Sequence, residues 1–216
     1  MKKMQKNDFY FIFDLDGTVA DTLEDIADSI NYMLTELGFA PKTKTEIKYA
    51  IGTGIEDIVY KLTGNKEKSF IDKAVSLFRE KYEINLINKT KLYKGVKKFI
   101  SDKNTKASIV SNKPDKFTKK ICKHLKILKH LDECIGSNSI FPHKPDPAGT
   151  KFIIEKHAKG KIPIFIGDSI IDKQTAENAN IKFCLALYGY EKPETLKQIK
   201  SDFKIKHFDE LNSIFI

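Results

Sequence analysis

The stretch Tyr10-Phe11-Ile12-Phe13-Asp14-Leu15-Asp16-Gly17-Thr18 decides the fold of this chain. It begins with an unbroken apolar and aromatic run, which is typical of a strand buried on both faces in a parallel sheet. Two aspartates follow at the carboxyl end of that strand, and Gly17 permits a sharp turn after them. Ligands of open parallel sheets bind at this end of the strands. The stretch therefore predicts a functional site as well as a fold class.

Asp14 and Asp16 carry the chemistry of that site. They are two positions apart, so their side chains share a face if the segment is extended. A chain leaving a buried strand can direct the Asp14 carboxylate and the Asp16 backbone carbonyl to one point, where hard oxygens suit Mg²⁺. An ordinary turn that ends a strand uses the same residue types, and this alternative stays open on the stretch alone. An EF-hand loop is excluded, because its glycine is sixth and Gly17 is fourth.

The composition is that of a globular protein with an excess of lysine. Of 216 residues, 41% are hydrophobic and 31% are charged, and the formal net charge is +9. Arg79 is the only arginine among 38 cationic side chains, and the lysines are scattered along the chain. Proteins that bind nucleic acid favour arginine forks and basic stripes. We therefore expect no nucleic-acid partner, and we interpret the charge as a mild attraction for anionic substrates.

Other features bear on the cellular setting. Cys122, Cys134 and Cys184 are far apart and form no C-x-x-C pair, so we expect reduced thiols. The apolar run from Phe9 to Phe13 is too short for the hydrophobic region of a signal peptide, and no segment is long enough to span a membrane. We expect a cytoplasmic protein with no membrane partner, as a monomer or a homodimer.

A block of helices follows the opening stretch, from about Thr22 to Asn88. Apolar residues at helical spacing predict four helices: Leu23 to Leu37 before Gly38, a second from Thr43, a third from Ile55 before Gly64, and a fourth around Phe70 to Tyr82. Two pairs resemble capping boxes at helix starts, namely Thr22 with Asp25 and Thr43 with Glu46. No convincing strand interrupts the block.

Helices and strands alternate from Leu92 onward. Strands are predicted at Lys106 to Ser111, Cys134 to Gly136, Pro163 to Ile166 and Phe183 to Leu187. Helices are predicted after Gly95, after Pro114, from Asp146-Pro147 to about His157, and around Thr175 to Ala179. This alternation predicts an α/β fold, a parallel sheet with helices on both faces. The helical block is then an insertion that covers the carboxyl edge of the sheet.

The stretch Asp14-Leu15-Asp16-Gly17-Thr18 resembles the first motif, D-x-D-G-T, of the haloacid dehalogenase-like hydrolase superfamily. Three later segments resemble its other motifs in order: Ser111-Asn112-Lys113-Pro114, Lys144 in His143-Lys144-Pro145-Asp146-Pro147, and Gly167-Asp168-Ser169-Ile170-Ile171-Asp172. The resemblance covers the whole chain. It implies a Rossmann-like α/β core of residues 1–18 and 90–216, with an inserted all-helical cap of residues 19–89, similar to the phosphoglycolate phosphatase-like subgroup.

The resemblance also implies a mechanism and a set of site residues. Asp14 would attack phosphorus to form an aspartyl-phosphate, Asp16 would act as general acid and base, and Ser111 and Lys144 would hold the phosphoryl group. The implied ligands of Mg²⁺ are Asp14, Asp16, Asp168 and Asp172. The implied substrate contacts are Gly17, Thr18, Asn112, Lys113, Thr53 and Gly54. Four carboxylates in one pocket repel one another, and a divalent cation with Lys144 would offset their charge.

Simpler interpretations of individual residues remain open from the sequence. Ser111 could cap a helix, Lys144 could be one more solvated lysine, and Asp168 could stand before a helix start. The loop Ile51-Gly52-Thr53-Gly54-Ile55 is no dinucleotide fingerprint, since it lacks a preceding strand and a third glycine. It resembles the Gly-x-Gly substrate loop of the subgroup's caps, or else it is a plain helix–helix turn.

We expect a Mg²⁺-dependent phosphatase for a small phosphorylated metabolite, with phosphoglycolate as the first-choice substrate. A sugar-phosphate mutase, a pyrophosphatase and a nucleotidase of the same superfamily are the alternatives. A phosphonate hydrolase would need a cap lysine such as Lys42, Lys44 or Lys48. A dehalogenase is disfavoured because that branch lacks the second aspartate. A non-catalytic binding protein would be attractive only if a motif residue were missing, and none is.

Overall fold

The structure is a computed structural model that describes residues 5–215. Its strands are β1 (Phe9–Phe13), β2 (Ala20–Asp21), β3 (Lys91–Leu92), β4 (Ala107–Pro114), β5 (Cys134–Ser137), β6 (Ile162–Gly167), β7 (Lys182–Ala186) and β8 (Phe203–Ile205). Its helices are α1 (Leu23–Glu36), α2 (Lys44–Lys48), α3 (Ile55–Thr63), α4 (Lys68–Asn85), α5 (Val96–Ile100), α6 (Asp115–His124), α7 (Ala148–His157), α8 (Ile170–Asn178), α9 (Pro193–Gln198) and α10 (Leu211–Ile214). Residues 1–4 and Ile216, which belong to the predicted core ranges 1–18 and 90–216, lie outside the described residues.

Strand β1 lies in the middle of a six-stranded parallel sheet of order β5-β4-β1-β6-β7-β8. All five of its side chains are fully buried. Because side chains alternate along a strand, Phe9, Phe11 and Phe13 pack into one hydrophobic cluster and Tyr10 and Ile12 into another on the opposite face. The predicted α/β class and the doubly covered central strand are confirmed.

The order of the strands places a switch point beside β1. From β1 the chain moves outward on one side through β4 and β5, and then returns to the other side of β1 to build β6, β7 and β8. The connections diverge where β1 meets β6, and a crevice opens at the carboxyl ends of such strands. This is the edge at which Asp14 and Asp168 follow β1 and β6.

Helices α1 to α4 form the inserted helical cap, and no strand lies between them in the described chain. Gly38 and Gly64 follow α1 and α3 with φ of +80° and +72°, the left-handed conformation that commonly ends a helix. The buried faces of α1 and α4 belong to the same hydrophobic cluster as Phe11 and Phe13. The exact residue division into 1–18 plus 90–216 and 19–89 stays a prediction.

The two predicted capping boxes had different outcomes. At α2, the Thr43 side chain accepts a hydrogen bond from Glu46 N, and the Glu46 carboxylate accepts one from Thr43 N, so that box is confirmed. At α1 the prediction was wrong, because no side-chain bond caps the helix at Thr22. The Asp25 carboxylate instead accepts hydrogen bonds from Lys89 N at 3.0 Å and Thr90 N at 2.8 Å. It therefore joins the start of the cap to its end.

Several short elements were not predicted. Strands β2 and β3 pair antiparallel where the chain enters and leaves the cap, and β8, α9 and α10 complete the edge of the core. The three cysteines are buried and free. No helix within residues 5–215 combines the length and apolarity needed to cross a bilayer.

Candidate active site

The polar residues of the motifs meet at the carboxyl edge of the sheet. Asp14 follows β1, Ser111 lies in the second half of β4, Lys144 lies in the loop between β5 and α7, and Asp168 follows β6. All four are buried, with exposed fractions from 3% to 7%. Parallel strands bring their carboxyl ends to one edge, so motifs far apart in the chain become neighbours.

Lys144 lies between two of the aspartates. Its Nζ is 2.5 Å from Asp14 Oδ1 and 2.6 Å from Asp172 Oδ1. Burial by itself lowers the pKa of the Lys144 ammonium, but the charges of Asp14 and Asp172 outweigh it and raise the pKa above its usual value. Lys144 is therefore a buried, permanently charged cation, and the interpretation as a solvated surface lysine is wrong.

Asp14, Asp168 and Asp172 form an acidic cluster. Each offers a carboxylate oxygen within 4.8 Å of the others. Burial raises the pKa of Asp14 to about 7, against the opposing charge of Lys144. Burial, and then the charge of Asp172, raise the pKa of Asp168 well above its usual range. One ammonium is therefore not enough to balance three carboxylates in this buried position.

The cluster fits a divalent cation. Carboxylate oxygens are the ligands that Mg²⁺ uses in proteins, and the excess negative charge is what such an ion would neutralise. The Asp16 backbone carbonyl accepts no hydrogen bond from the described residues, which leaves it free as a ligand. Asp14 and Asp168, with the Asp16 carbonyl, would hold the ion, while Asp172 is already committed to Lys144 and to Ser169.

The turn after β1 fixes the position of Asp168. Thr18 Oγ1 donates a hydrogen bond to Asp168 Oδ1 at 3.2 Å, and the backbone N–H of Tyr190 donates to Oδ2. Gly17 has a φ of +82°, and a Cβ on it would lie 2.5 Å from Asp168 Oδ2, so only glycine fits there. Gly17 and Thr18 thus support a cluster residue, and their predicted contact with substrate stays a prediction.

Asp16 has different surroundings from Asp14, although only one residue separates them. Its carboxylate accepts hydrogen bonds from Thr22 Oγ1 at 2.6 Å and from Lys113 Nζ at 2.8 Å. It is not part of the acidic cluster. The Lys113 ammonium also lies 4.9 Å from the centre of the Tyr82 ring on cap helix α4. Asp16 therefore faces the cap, whereas Asp14 faces the cluster.

Ser111 and Asn112 shape the floor of the site. Ser111 Oγ accepts a hydrogen bond from Lys113 N at 3.2 Å and does not cap α6, whose N-cap is Pro114. The Asn112 side chain accepts from Lys144 N at 2.7 Å and donates to Lys144 O at 3.1 Å. It also donates to Gly52 O, in the cap loop, at 3.2 Å. The Asn112 side chain therefore joins the Lys144 backbone to the cap loop. Its predicted contact with substrate stays a prediction.

A cavity of about 270 Å³ lies over these groups. Its floor contains Asp14, Ser111 and Lys144, and its opposite wall comes from the cap loop and from α3 and α4. Thr53 and Gly54 line it as predicted for a substrate loop, although the Thr53 hydroxyl already bonds to Asp57. A cavity of this volume suits a small ligand.

Sequence reasoning missed several residues of this site. Tyr190 and Thr22 lie beside Asp16, with Thr22 N donating to Tyr190 Oη at 2.8 Å. Arg79 and Tyr82 line the cavity from α4. Arg79 carried a signal as the only arginine, but nothing in the sequence placed it near the motifs. His143 also lines the cavity and is exposed there.

Comparisons with known proteins identify the family of this chain. The family model for haloacid dehalogenase-like hydrolases matches residues 11–186. A phosphoglycolate phosphatase of Psychrobacter arcticus is 32% identical over 94% of this chain and 92% of its own length, and one of Nitrosospira multiformis is 30% identical over 88% of each. A crystal structure of a predicted phosphoglycolate phosphatase from Haemophilus somnus is 25% identical, covers 96% of this chain and 98% of its own, and superimposes with a TM-score of 0.87. This chain belongs to the haloacid dehalogenase-like hydrolases.

Proposed function

We propose that this chain is a Mg²⁺-dependent phosphatase that hydrolyses a small phosphomonoester through an aspartyl-phosphate on Asp14. Phosphoglycolate is the first-choice substrate, since several relatives at about 30% identity carry the name phosphoglycolate phosphatase. The observation that carries the proposal is the separation of the two aspartates. Asp14 lies beside the Lys144 ammonium and the carboxylates of Asp168 and Asp172, whereas Asp16 lies on the side of the cavity that faces the cap.

In the first step Asp14 is the nucleophile. One of its carboxylate oxygens attacks phosphorus in line with the leaving oxygen, while the Lys144 ammonium and the Ser111 hydroxyl bind the phosphoryl oxygens. Lys144 also holds Asp14 in position, because Asp172 binds the Lys144 ammonium and the Asn112 side chain binds the Lys144 backbone. Mg²⁺, when bound, supplies further neutralisation of the charge on the phosphoryl group.

Asp16 moves the protons. It donates a proton to the leaving oxygen, and it then accepts one from the water that hydrolyses the aspartyl-phosphate. Thr22 and Lys113 orient its carboxylate from two sides. The cap excludes bulk water from the intermediate, and the hydrogen bond from Asn112 to Gly52 joins the cap loop to the phosphate-binding floor.

The direct test is phosphate release by the purified protein with Mg²⁺. The substrate panel contains phosphoglycolate, pyrophosphate, mononucleotides and hexose phosphates. We expect turnover that EDTA abolishes and excess Mg²⁺ restores, and we expect Asp14→Asn to be inactive. Full turnover in metal-free buffer, or an Asp14→Asn variant with wild-type activity, would falsify the mechanism. Phosphorus NMR on a hexose 1-phosphate separates the alternatives, because a mutase isomerises it without releasing free phosphate.

A further inference from the structure

Arg79 is the one arginine of a chain with 37 lysines, and it lines the candidate active-site cavity. It lies on the cap helix α4, between Phe78 and the turn that carries Tyr82. A lysine is sufficient where a site needs only a solvated positive charge. Arginine differs because its planar fork matches a carboxylate or a phosphate with two parallel hydrogen bonds. The position of Arg79 in the cavity therefore favours a ligand that carries a carboxylate or a phosphate.

The other two permanently cationic side chains of the cavity are already paired. Lys144 contacts Asp14 and Asp172, and Lys113 contacts Asp16. Within residues 5–215, Arg79 has no carboxylate at ion-pair distance and no hydrogen-bond partner for its side chain. It is exposed on the cavity wall. The guanidinium thus remains available to an anion that enters the cavity.

The neighbourhood of Arg79 identifies which part of the ligand it would meet. Tyr82 is three residues further along α4, so the two side chains lie on one face of the helix. The Tyr82 ring covers the Lys113 ammonium, which binds Asp16. The buried hydroxyl of Tyr82 has no hydrogen-bond partner among the described residues. Asp16 is the proposed acid for the leaving oxygen. Arg79 is therefore on the leaving-group side of the cavity, opposite the phosphate-binding floor.

We infer that Arg79 is a specificity-determining residue that binds a carboxylate on the leaving group of the substrate. This inference rests on the proposed phosphomonoesterase function and adds to it the residue that would select a substrate carrying a carboxylate, such as phosphoglycolate. The acidic residues Glu56 and Glu191 also line the cavity. They would repel an anionic leaving group unless a cation nearby neutralised its charge. The guanidinium of Arg79 supplies that cation on the cap wall of the cavity, on the same helix as Tyr82.

Paired substrates test the inference. Phosphoglycolate and ethyl phosphate differ only in that a methyl group replaces the carboxylate. Arg79→Gln should lower kcat/KM for phosphoglycolate by about 10- to 100-fold, the range for losing hydrogen bonds to a charged group, mainly through KM. It should change kcat/KM for ethyl phosphate by less than about threefold, since that ester makes no contact to lose. Arg79→Lys should restore part of the loss. Lys73→Gln is the matched control, with the same charge change on the same helix away from the cavity.

A binding measurement that needs no turnover separates this inference from the proposed function. With Mg²⁺ present, calorimetry compares 3-phosphonopropionate, a stable analogue of phosphoglycolate, with propylphosphonate, which lacks the carboxylate. Wild type should prefer the first by at least about tenfold, and Arg79→Gln should lose that preference even if the protein hydrolyses no ester. Equal losses for both esters, or equal binding of both phosphonates by wild type, would overturn the role of Arg79. Glu56→Gln should keep or increase the preference, because it removes a carboxylate that repels the ligand; a loss of the preference in this variant would overturn the argument.

Discussion

Replacing Lys144 with methionine should destabilise the metal-free protein severely. Methionine keeps most of the apolar stem but removes an ammonium that lies 2.5 Å from Asp14 Oδ1 and 2.6 Å from Asp172 Oδ1. The exposed fractions of the three side chains are 5%, 9% and 1%, so water cannot take the place of the lost cation. Removing one partner of a buried ion pair costs about 3–5 kcal/mol, because it leaves an uncompensated buried charge.

The same replacement at the surface provides the control. Lys156 Nζ is 2.7 Å from Glu133 Oε1, but the two side chains are 53% and 24% exposed. Pairs of that kind contribute about 0.2–1 kcal/mol. We therefore expect Lys156→Met to lose no more than about 1 kcal/mol, although its ion-pair distance is almost the same. The comparison isolates burial as the cause.

The assay is urea denaturation at pH 8, in EDTA and again in saturating Mg²⁺. In EDTA the free energy of unfolding of Lys144→Met should fall by about 3–5 kcal/mol. Mg²⁺ should stabilise the variant more than wild type, because the ion binds the freed carboxylates only in the folded protein. A loss in EDTA no larger than that of Lys156→Met would refute the assignment of Lys144 as the counter-charge of the cluster. Equal stabilisation of both proteins by Mg²⁺ would show that the Lys144 charge does not compete with the ion for the cluster.

Asp16→Asn should still form a phosphoenzyme from an aryl phosphate, because the phenolate leaves without being protonated. The phosphoenzyme should then accumulate, since its hydrolysis lacks a general base worth roughly 10²–10⁴-fold in rate. Rapid quench with hydroxylamine detects the phosphoenzyme, and its failure to accumulate would contradict the role of Asp16 as the base of the second step. Asn112→Ala should lower kcat/KM by about tenfold or more, because Lys144 loses two backbone hydrogen bonds and Gly52 loses one, each worth about 1 kcal/mol; unchanged steady-state kinetics would remove Asn112 from the positioning of Lys144. In EDTA, the Asp14 carboxyl binds its proton more tightly in the folded state, with a pKa of about 7 against a reference of 3.8. The unfolding free energy that Asp14 contributes should therefore fall as pH rises between those values, by at most about 1.4 kcal/mol per pH unit. Denaturation of wild type and Asp14→Asn across that window measures the difference, and a contribution that rises with pH would disprove the shift.

The sequence alone was sufficient for the α/β fold and for the edge of the sheet at which the motif residues meet. The apolar run from Phe9 to Phe13 predicts a strand buried on both faces, and in the structure all five residues of that strand are buried. Gly38 and Gly64 end helices as predicted. Asp14 and Asp168 were placed correctly at one edge, because parallel strands bring all their carboxyl ends together whatever their order in the chain. These features depend on local periodicity and on a general rule of sheet geometry, so they can be deduced without coordinates.

The tertiary structure decided which partner each polar side chain chose. Thr22 was a plausible helix cap, yet its hydroxyl donates to Asp16. Lys113 was a plausible substrate contact, yet it binds Asp16 across 97 residues of sequence. Asn112 reaches Lys144 and Gly52, which are 32 and 60 residues away. A side chain with several donors or acceptors can satisfy them locally or across the fold, and the choice depends on distances that only the packed chain sets. Short elements such as β2 and β8 escaped prediction for a related reason. They contain two or three residues, too few to show a period, and they are strands because a neighbour in space supplies their hydrogen bonds.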